Sequence, residues 1–70
     1  IQSGYKRLPN LLVETGMASS MAEARRLIDQ GGVAIDGVKV SRDVGEVRIA
    51  NDKSRVIQVG KRRFLRVRGI

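Results

Sequence analysis

The hydrophobic pattern of this 70-residue chain changes its period once, at Gly31-Gly32. Before this pair, apolar residues recur every three or four positions, as on one face of an α-helix. After it, they recur at every second position, as on one face of a β-strand. We therefore expect an α+β fold: a two-helix hairpin packed on a small, twisted, mostly antiparallel sheet of about five strands.

The first helix is predicted over Pro9–Thr15. Pro9 suits the first turn, because the amide hydrogen that proline lacks would be unpaired there. Gly16 can adopt the left-handed conformation that often follows a helix end. The apolar face of this helix consists of Leu8, Leu11 and Leu12.

The second helix is predicted to begin at Ser20, because Ser20 and Glu23 have the spacing of a capping box. The serine hydroxyl accepts a hydrogen bond from the amide near Glu23, and the carboxylate reaches back to the N-cap amide. Gly31-Gly32 ends this helix, and the two short helices need each other's apolar faces to be stable. The apolar arc consists of Met21, Ala24, Leu27 and Ile28.

Five strands are predicted after the helices. Val33–Val40 forms a hairpin around Asp36-Gly37, a pair that tolerates the positive φ angles of a type I′ turn. Glu46–Ile49 is predicted as the third strand. The core is expected to contain Leu11, Leu12, Leu27, Ile28, Val33 and Ile35.

The last two strands are predicted as a hairpin with a loop at Lys61-Arg62-Arg63. This loop places Ile57 opposite Val67 and Val59 opposite Leu65. The other face of the hairpin is then basic and carries Gln58, Arg66 and Arg68. Residues 1–7 are expected to be a linker, since Ser3-Gly4 favours flexibility, and residues 8–70 to be the folded domain.

Several classes of site are excluded within this segment by composition. There is no cysteine and no histidine, so disulfides, thiolate metal sites, zinc sites with histidine and Ser-His-Asp arrangements cannot form. The seven carboxylates are dispersed, and no phosphate-cradling loop is present. We expect no catalytic residue, metal or cofactor here. The chain starts at Ile1 rather than methionine, and no apolar run approaches the ~20 residues of a membrane span, so we interpret the chain as a piece of a larger soluble protein.

Positive charge is concentrated in the second half of the chain. The net charge is +7, and residues 33–70 hold ten basic and four acidic side chains. This surplus favours a polyanionic partner. Only Tyr5 and Phe64 are aromatic, so stacking on bases is expected to be a minor mode. Arginines on a folded surface suit the phosphates and minor groove of a structured RNA, with only a weak preference over DNA.

The run "LVETGMASSMAEARRLIDQGGVAIDGVKV" resembles the S-four-type RNA-binding module, which has the alpha-L motif. The shared pattern is a short helix, G-x-x-x-S, a second helix with E-A-R-x-L-I, a glycine and a strand–Asp-Gly–strand hairpin. The resemblance implies that Arg25 and Arg26 contact RNA. The family usually carries a basic residue where this chain has Met21.

The final run "VIQVGKRRFLRVR" resembles the C-terminal end of bacterial-type tyrosyl-tRNA synthetases. The resemblance implies a cytoplasmic, homodimeric parent enzyme whose separate catalytic domain uses ATP and tyrosine. It also implies that this domain, monomeric by itself, holds tRNA(Tyr) by the long variable arm and the anticodon stem. The residues expected to contact RNA are Arg25 and Arg26 on the second helix, Lys6 and Arg7 before the first, Lys39 and Arg42 around the hairpin, and Lys61, Arg62, Arg66 and Arg68 at the end.

Three alternatives remain open at this point. Arg26 could pair with Glu23 or Gln30 along the helix, in which case its role is structural. The same module occurs in ribosomal, RNA-modifying and ribosome-rescue proteins. A protein-interaction module would use its positive charge only for solubility.

Overall fold

A computed structural model describes residues 1–41 and 45–70 of the chain. Within these residues the fold is α+β, as predicted, with two helices and six strands in two antiparallel sheets. The elements are β1 (Gly4–Arg7), α1 (Leu8–Glu14), α2 (Met21–Asp29), β2 (Val33–Ile35), β3 (Val38–Lys39), β4 (Glu46–Ile49), β5 (Ser54–Val59) and β6 (Arg63–Arg68).

The capping box of α2 is confirmed in its first half and differs in its second. The Ser20 hydroxyl accepts a hydrogen bond of 3.1 Å from the Glu23 amide. The Glu23 carboxylate does not return to the Ser20 amide, and instead accepts a 2.7 Å hydrogen bond from the Ser19 hydroxyl. The helix start is therefore held by two serines, only one of which was predicted to take part.

The larger sheet has the strand order β3-β2-β5-β6. Its first hairpin turns at Asp36 and Gly37, whose φ angles of 52° and 82° are those of the predicted type I′ turn. β2 pairs with β5 through Ala34 and Gln58, so this strand joins the two hairpins.

The hairpin of β5 and β6 has a register two residues away from the predicted one. Ile57 lies opposite Leu65, and Val59 lies opposite Arg63. The turn lies earlier because Gly60 has a φ of 70°, and its amide donates a 2.7 Å hydrogen bond to the Gly32 carbonyl. A shift of two residues keeps every side chain on its face, so the prediction of a basic face on this hairpin is unaffected.

Residues 1–7 differ from the expected flexible linker. Gly4–Arg7 forms β1, which pairs with β4 in a second sheet. The backbone before β1 is also held, since the Ser3 amide donates a 2.9 Å hydrogen bond to the Ile70 carbonyl. The sequence did not indicate this strand because backbone pairing holds it in place, and GYKR lacks an apolar alternation.

Helices and strands share one hydrophobic core. Five of the six predicted core residues are buried, and Leu27 is half-buried at the edge of the core. The later strands complete the core with Val47, Ile49, Ile57, Val59 and Val67. This core leaves the cationic side chains to the surface and to the turns.

Candidate nucleic-acid interface

Arg25 and Arg26 are both exposed on α2. Neighbouring positions on a helix point about 100° apart, so the two guanidinium groups serve different surfaces. Among residues 1–41 and 45–70, no carboxylate lies within 4.0 Å of either side chain. Of the two structural partners predicted for Arg26, Glu23 therefore forms no ion pair with it.

Arg25 shares a surface groove with Arg7, the residue immediately before α1. Arg7 is the last residue of β1, and the hairpin of α1 and α2 places Arg25 on the same groove. We call this surface the helix groove; Met21, the position where the family usually has a basic residue, also lines it. The lining residues are Arg7, Pro9, Asn10, Met21, Arg25, Gly45 and Glu46.

Arg26 and Arg63, the first residue of β6, both lie near the Glu23 carboxylate. Hydrogen bonds from Ser19 hold the pKa of the Glu23 carboxyl below its usual range, and the nearby charges of Arg26 and Arg63 lower it further. Arg63 was predicted only as a loop residue. It lies opposite the buried Val59, on the helix side of the sheet. The predicted register put Arg63 in the loop instead, so the sequence did not indicate this position.

Lys6 is turned inward in the structure. It lies opposite the buried Val47 in the β1–β4 register. Its Nζ is 3.4 Å from the Glu14 carboxylate, and its side chain is 22% exposed. This geometry gives Lys6 a structural contact, and its contact with RNA stays a prediction.

A second basic surface lies on the larger sheet. Residues directly opposite each other in a sheet share a face, and the observed register aligns one residue from each of four strands. We call this surface the outer sheet face. Its residues are Lys39, Ala34, Gln58 and Phe64 in one row, with Arg66 and Arg68 further along β6.

The β5–β6 turn extends the outer sheet face with more positive charge. Lys61 and Arg62 are exposed in this turn. Lys61 lines a shallow groove together with Lys39, Ala34 and Gln58. Cations from the first and second hairpins, predicted separately from the sequence, are thus brought to one surface.

In the part of the chain that the structure describes, two cations near this surface have internal carboxylate partners. Arg68 lies 3.4 Å from Asp52, but both side chains are largely exposed, so water screens this pair and it contributes little. Arg55 is less exposed; it pairs with Asp36 and donates a 2.9 Å hydrogen bond to the Arg48 carbonyl. Arg55 is therefore a structural residue. The predicted contact at Arg42 lies outside the described residues.

Within residues 1–41 and 45–70, no group of three or more histidine, cysteine or acidic side chains could hold a metal ion. No helix in the same ranges has the length and apolar character that crossing a membrane requires.

A family model and individual known proteins both match this chain. The family model described as the S4 domain matches residues 6–42. The tyrosine–tRNA ligase of Thermotoga maritima is 48% identical over 67 residues, which cover 96% of this chain and 16% of the relative. Those of Moorella thermoacetica and Nitrosospira multiformis are 48% and 44% identical over 86% and 96% of this chain.

The chain spans about a sixth of the length of these relatives. The matched family segment contains β1 from Lys6 onward, both helices and the first hairpin, and therefore most of the helix groove. Both resemblances drawn from the sequence are confirmed, and this chain belongs to the S4 domain family.

Proposed function

We propose that this chain is the non-catalytic RNA-binding domain of a tyrosine–tRNA ligase. In this function it holds tRNA(Tyr) by the long variable arm and the anticodon stem while a separate catalytic domain uses ATP and tyrosine. The parent enzyme is then cytoplasmic and homodimeric. The names of the similar ligases support the parent activity, and the family match supports the binding role.

The observation that carries this function is the convergence of Arg7 and Arg25 on the helix groove. A guanidinium group can donate two parallel hydrogen bonds to one phosphate, and it stays charged at all physiological pH values. Two such groups beside one groove provide adjacent phosphate contacts along an RNA backbone. Arg26, Lys39, Lys61, Arg62, Arg66 and Arg68 add the surrounding positive field.

The domain does not need high affinity by itself. If it is tethered to a catalytic domain that already holds the acceptor end of the tRNA, its binding becomes intramolecular and is governed by an effective concentration. The contacts described here are then expected to contribute mainly to orientation and residence time.

The first test is a titration of this chain with three nucleic acids. These are a tRNA(Tyr) transcript with a long variable arm, a tRNA with a short variable arm, and a DNA duplex. We expect the first to bind most tightly, with log K falling against log salt at a slope near −3 for about four neutralised phosphates. Equal binding of all three, or a slope near zero, would contradict the function.

The second test asks whether Arg25 and Arg26 bind RNA or stabilise the helix. Arg25→Ala and Arg26→Ala should each weaken tRNA binding while leaving the free energy of unfolding nearly unchanged, because charge-assisted hydrogen bonds to phosphate are lost. Arg48→Ala is a matched control, since Arg48 is exposed on the smaller sheet opposite Tyr5. Lost stability with retained affinity would make the two arginines structural.

A further inference from the structure

Phe64 is an exposed aromatic residue in the edge strand of the larger sheet. It is 60% exposed, and it lies on the solvent-facing side of β6 together with the exposed Arg66 and Arg68. Its partner across β5 is the polar Gln58 rather than another apolar residue. A single exposed phenyl ring is ordinary on a protein surface. A binding role for Phe64 must therefore be argued from the residues around it.

The ring is surrounded by a flat surface and by cations. The row from Phe64 passes through Gln58 and Ala34 to Lys39, and three strand spacings make this row about 14 Å wide. The Gln58 amide is held by a 2.9 Å hydrogen bond to the Gly60 carbonyl, and Ala34 has a small side chain. No large side chain of this row therefore stands over the face between Phe64 and Lys39.

Positive charge lies on both sides of this ring along the chain. Arg66 follows Phe64 on the same face of β6, and Lys61 and Arg62 lie in the turn just before the strand. Within the described ranges, none of these three cations has a carboxylate partner within 4.0 Å. An apolar π surface inside a group of available cations matches a nucleotide, which has a stacking base and an adjacent phosphate.

We propose that Phe64 stacks on one unpaired nucleobase of the bound RNA, while Arg66 and Lys61 contact the phosphates on either side of that nucleotide. This inference rests on the proposed RNA-binding function and adds a recognition element to it. Duplex RNA keeps its bases stacked on each other and offers none to the ring, so the contact selects RNA with a looped, bulged or terminal base. Phe64 is the only aromatic residue in β5 and β6, which limits the contact to one base.

The test compares two blunt-ended RNA duplexes of equal phosphate count, neither of which has a loop or an unpaired terminal base. One has a single bulged base replaced by 2-aminopurine, and the other is fully paired. Base–aromatic stacking of the usual strength corresponds to roughly a 5- to 150-fold change in affinity. Phe64→Leu should therefore weaken binding of the bulged RNA by at least about five-fold, leave the paired RNA unchanged, and leave the salt slope unchanged.

Two further variants make the result specific. Phe64→Trp introduces the only tryptophan of the chain, and its emission should be quenched when the bulged RNA binds. Tyr5→Leu removes the other aromatic residue, which is 71% exposed on the smaller sheet, and should bind the bulged RNA like the unsubstituted chain. Thermal unfolding of each variant checks that the fold is retained.

The outcomes separate the stacking contact from RNA binding itself. If the unsubstituted chain binds both RNAs and Phe64→Leu weakens both equally or neither, the stacking contact is overturned while RNA binding stands. If the unsubstituted chain binds neither RNA, the proposed function fails as well. If an acidic peptide changes the tryptophan emission and RNA does not, the surface belongs to a protein partner and the inference is overturned.

Discussion

The Asp36 side chain is hydrogen-bonded to the backbone of Val56, twenty residues further along the chain. The Val56 amide donates to Asp36 Oδ1 at 2.8 Å, and the Asp36 amide donates to the Val56 carbonyl at 2.8 Å. The same carboxylate pairs with Arg55. One turn residue thus joins the first hairpin to β5 and positions the larger sheet, including its outer face.

Replacing Asp36 should reduce stability in a graded way. Asp36→Ala loses the hydrogen bond to Val56 and places alanine at a φ of 52°, so we expect a loss of about 1–2 kcal/mol in the free energy of unfolding. Asp36→Asn keeps an acceptor oxygen and tolerates this backbone conformation, so it should lose only the Arg55 pair, less than about 1 kcal/mol. Urea unfolding measures both, and equal losses would contradict the role of the hydrogen bond.

Gly69 should be intolerant of any side chain. A Cβ atom built there would lie 2.3 Å from the Ala50 carbonyl oxygen, where the chain forms a parallel bridge between Asn51 and Gly69. Gly69→Ala must move backbone, and we expect a loss of about 1–3 kcal/mol or more.

Gly32→Ala is the matched control for this glycine. A Cβ at Gly32 would lie 3.5 Å from the Leu27 carbonyl oxygen, an ordinary contact. Its stability should change by no more than about 0.5 kcal/mol. Thermal unfolding compares the two variants side by side. If both unfolded at the same temperature as the unsubstituted chain, the close approach at Gly69 would be contradicted.

Local chemistry made part of this fold predictable. Ser20 caps a helix and Asp36-Gly37 makes a tight turn because of their own side chains and dihedral angles, so sequence alone was sufficient for both. The face of each strand in the last hairpin was also predictable, because side chains alternate with a period of two. The position of that turn was not, because it depends on the hydrogen bond between Gly60 and Gly32 across the fold.

The sequence predicted the type of candidate site, a basic surface, better than it predicted where each cation lies. Arg25 and Arg26 were predicted as RNA contacts from their place in the family pattern. The inward position of Lys6 and its pair with Glu14 depend on β1, a strand without an apolar pattern. The proximity of Arg63 to Glu23 likewise depends on the tertiary fold, because the two residues lie forty positions apart in the chain.

Acid should weaken the start of α2. Hydrogen bonds from Ser19 lower the pKa of the Glu23 carboxyl in the folded chain, helped by Arg26 and Arg63. The folded state therefore binds a proton less readily than the unfolded state, in which a glutamate has a pKa of about 4.3. The stabilisation is complete above that pH and is lost as the pH falls through the lower folded value.

Two measurements check this pH dependence. The carboxyl carbon of Glu23 should titrate in NMR with a midpoint below the usual glutamate range. The difference in stability between the unsubstituted chain and Glu23→Gln should shrink as the pH is lowered through that midpoint. A midpoint at or above the ordinary value would show that Ser19 does not hold the carboxylate in solution.

Met21→Lys should strengthen RNA binding. Met21 is half-buried and lines the helix groove with Arg7 and Arg25, so a lysine there can lay its stem along the same surface and bring its ammonium group to a phosphate. One added contact steepens the slope of log K against log salt by about 0.7–0.9. An exposed ion pair of ordinary strength raises affinity roughly two- to five-fold.

Gln2→Lys controls for net charge, because it adds the same charge at an exposed residue outside the helix groove and the outer sheet face. It should raise affinity less and leave the salt slope nearly unchanged. A lysine in the first turn of α2 opposes the helix dipole by a few tenths of a kcal/mol, so the stability of Met21→Lys should fall only slightly. If both variants gained affinity equally, the groove would have no special place in binding, and the effect of positive charge would be that of the overall field alone.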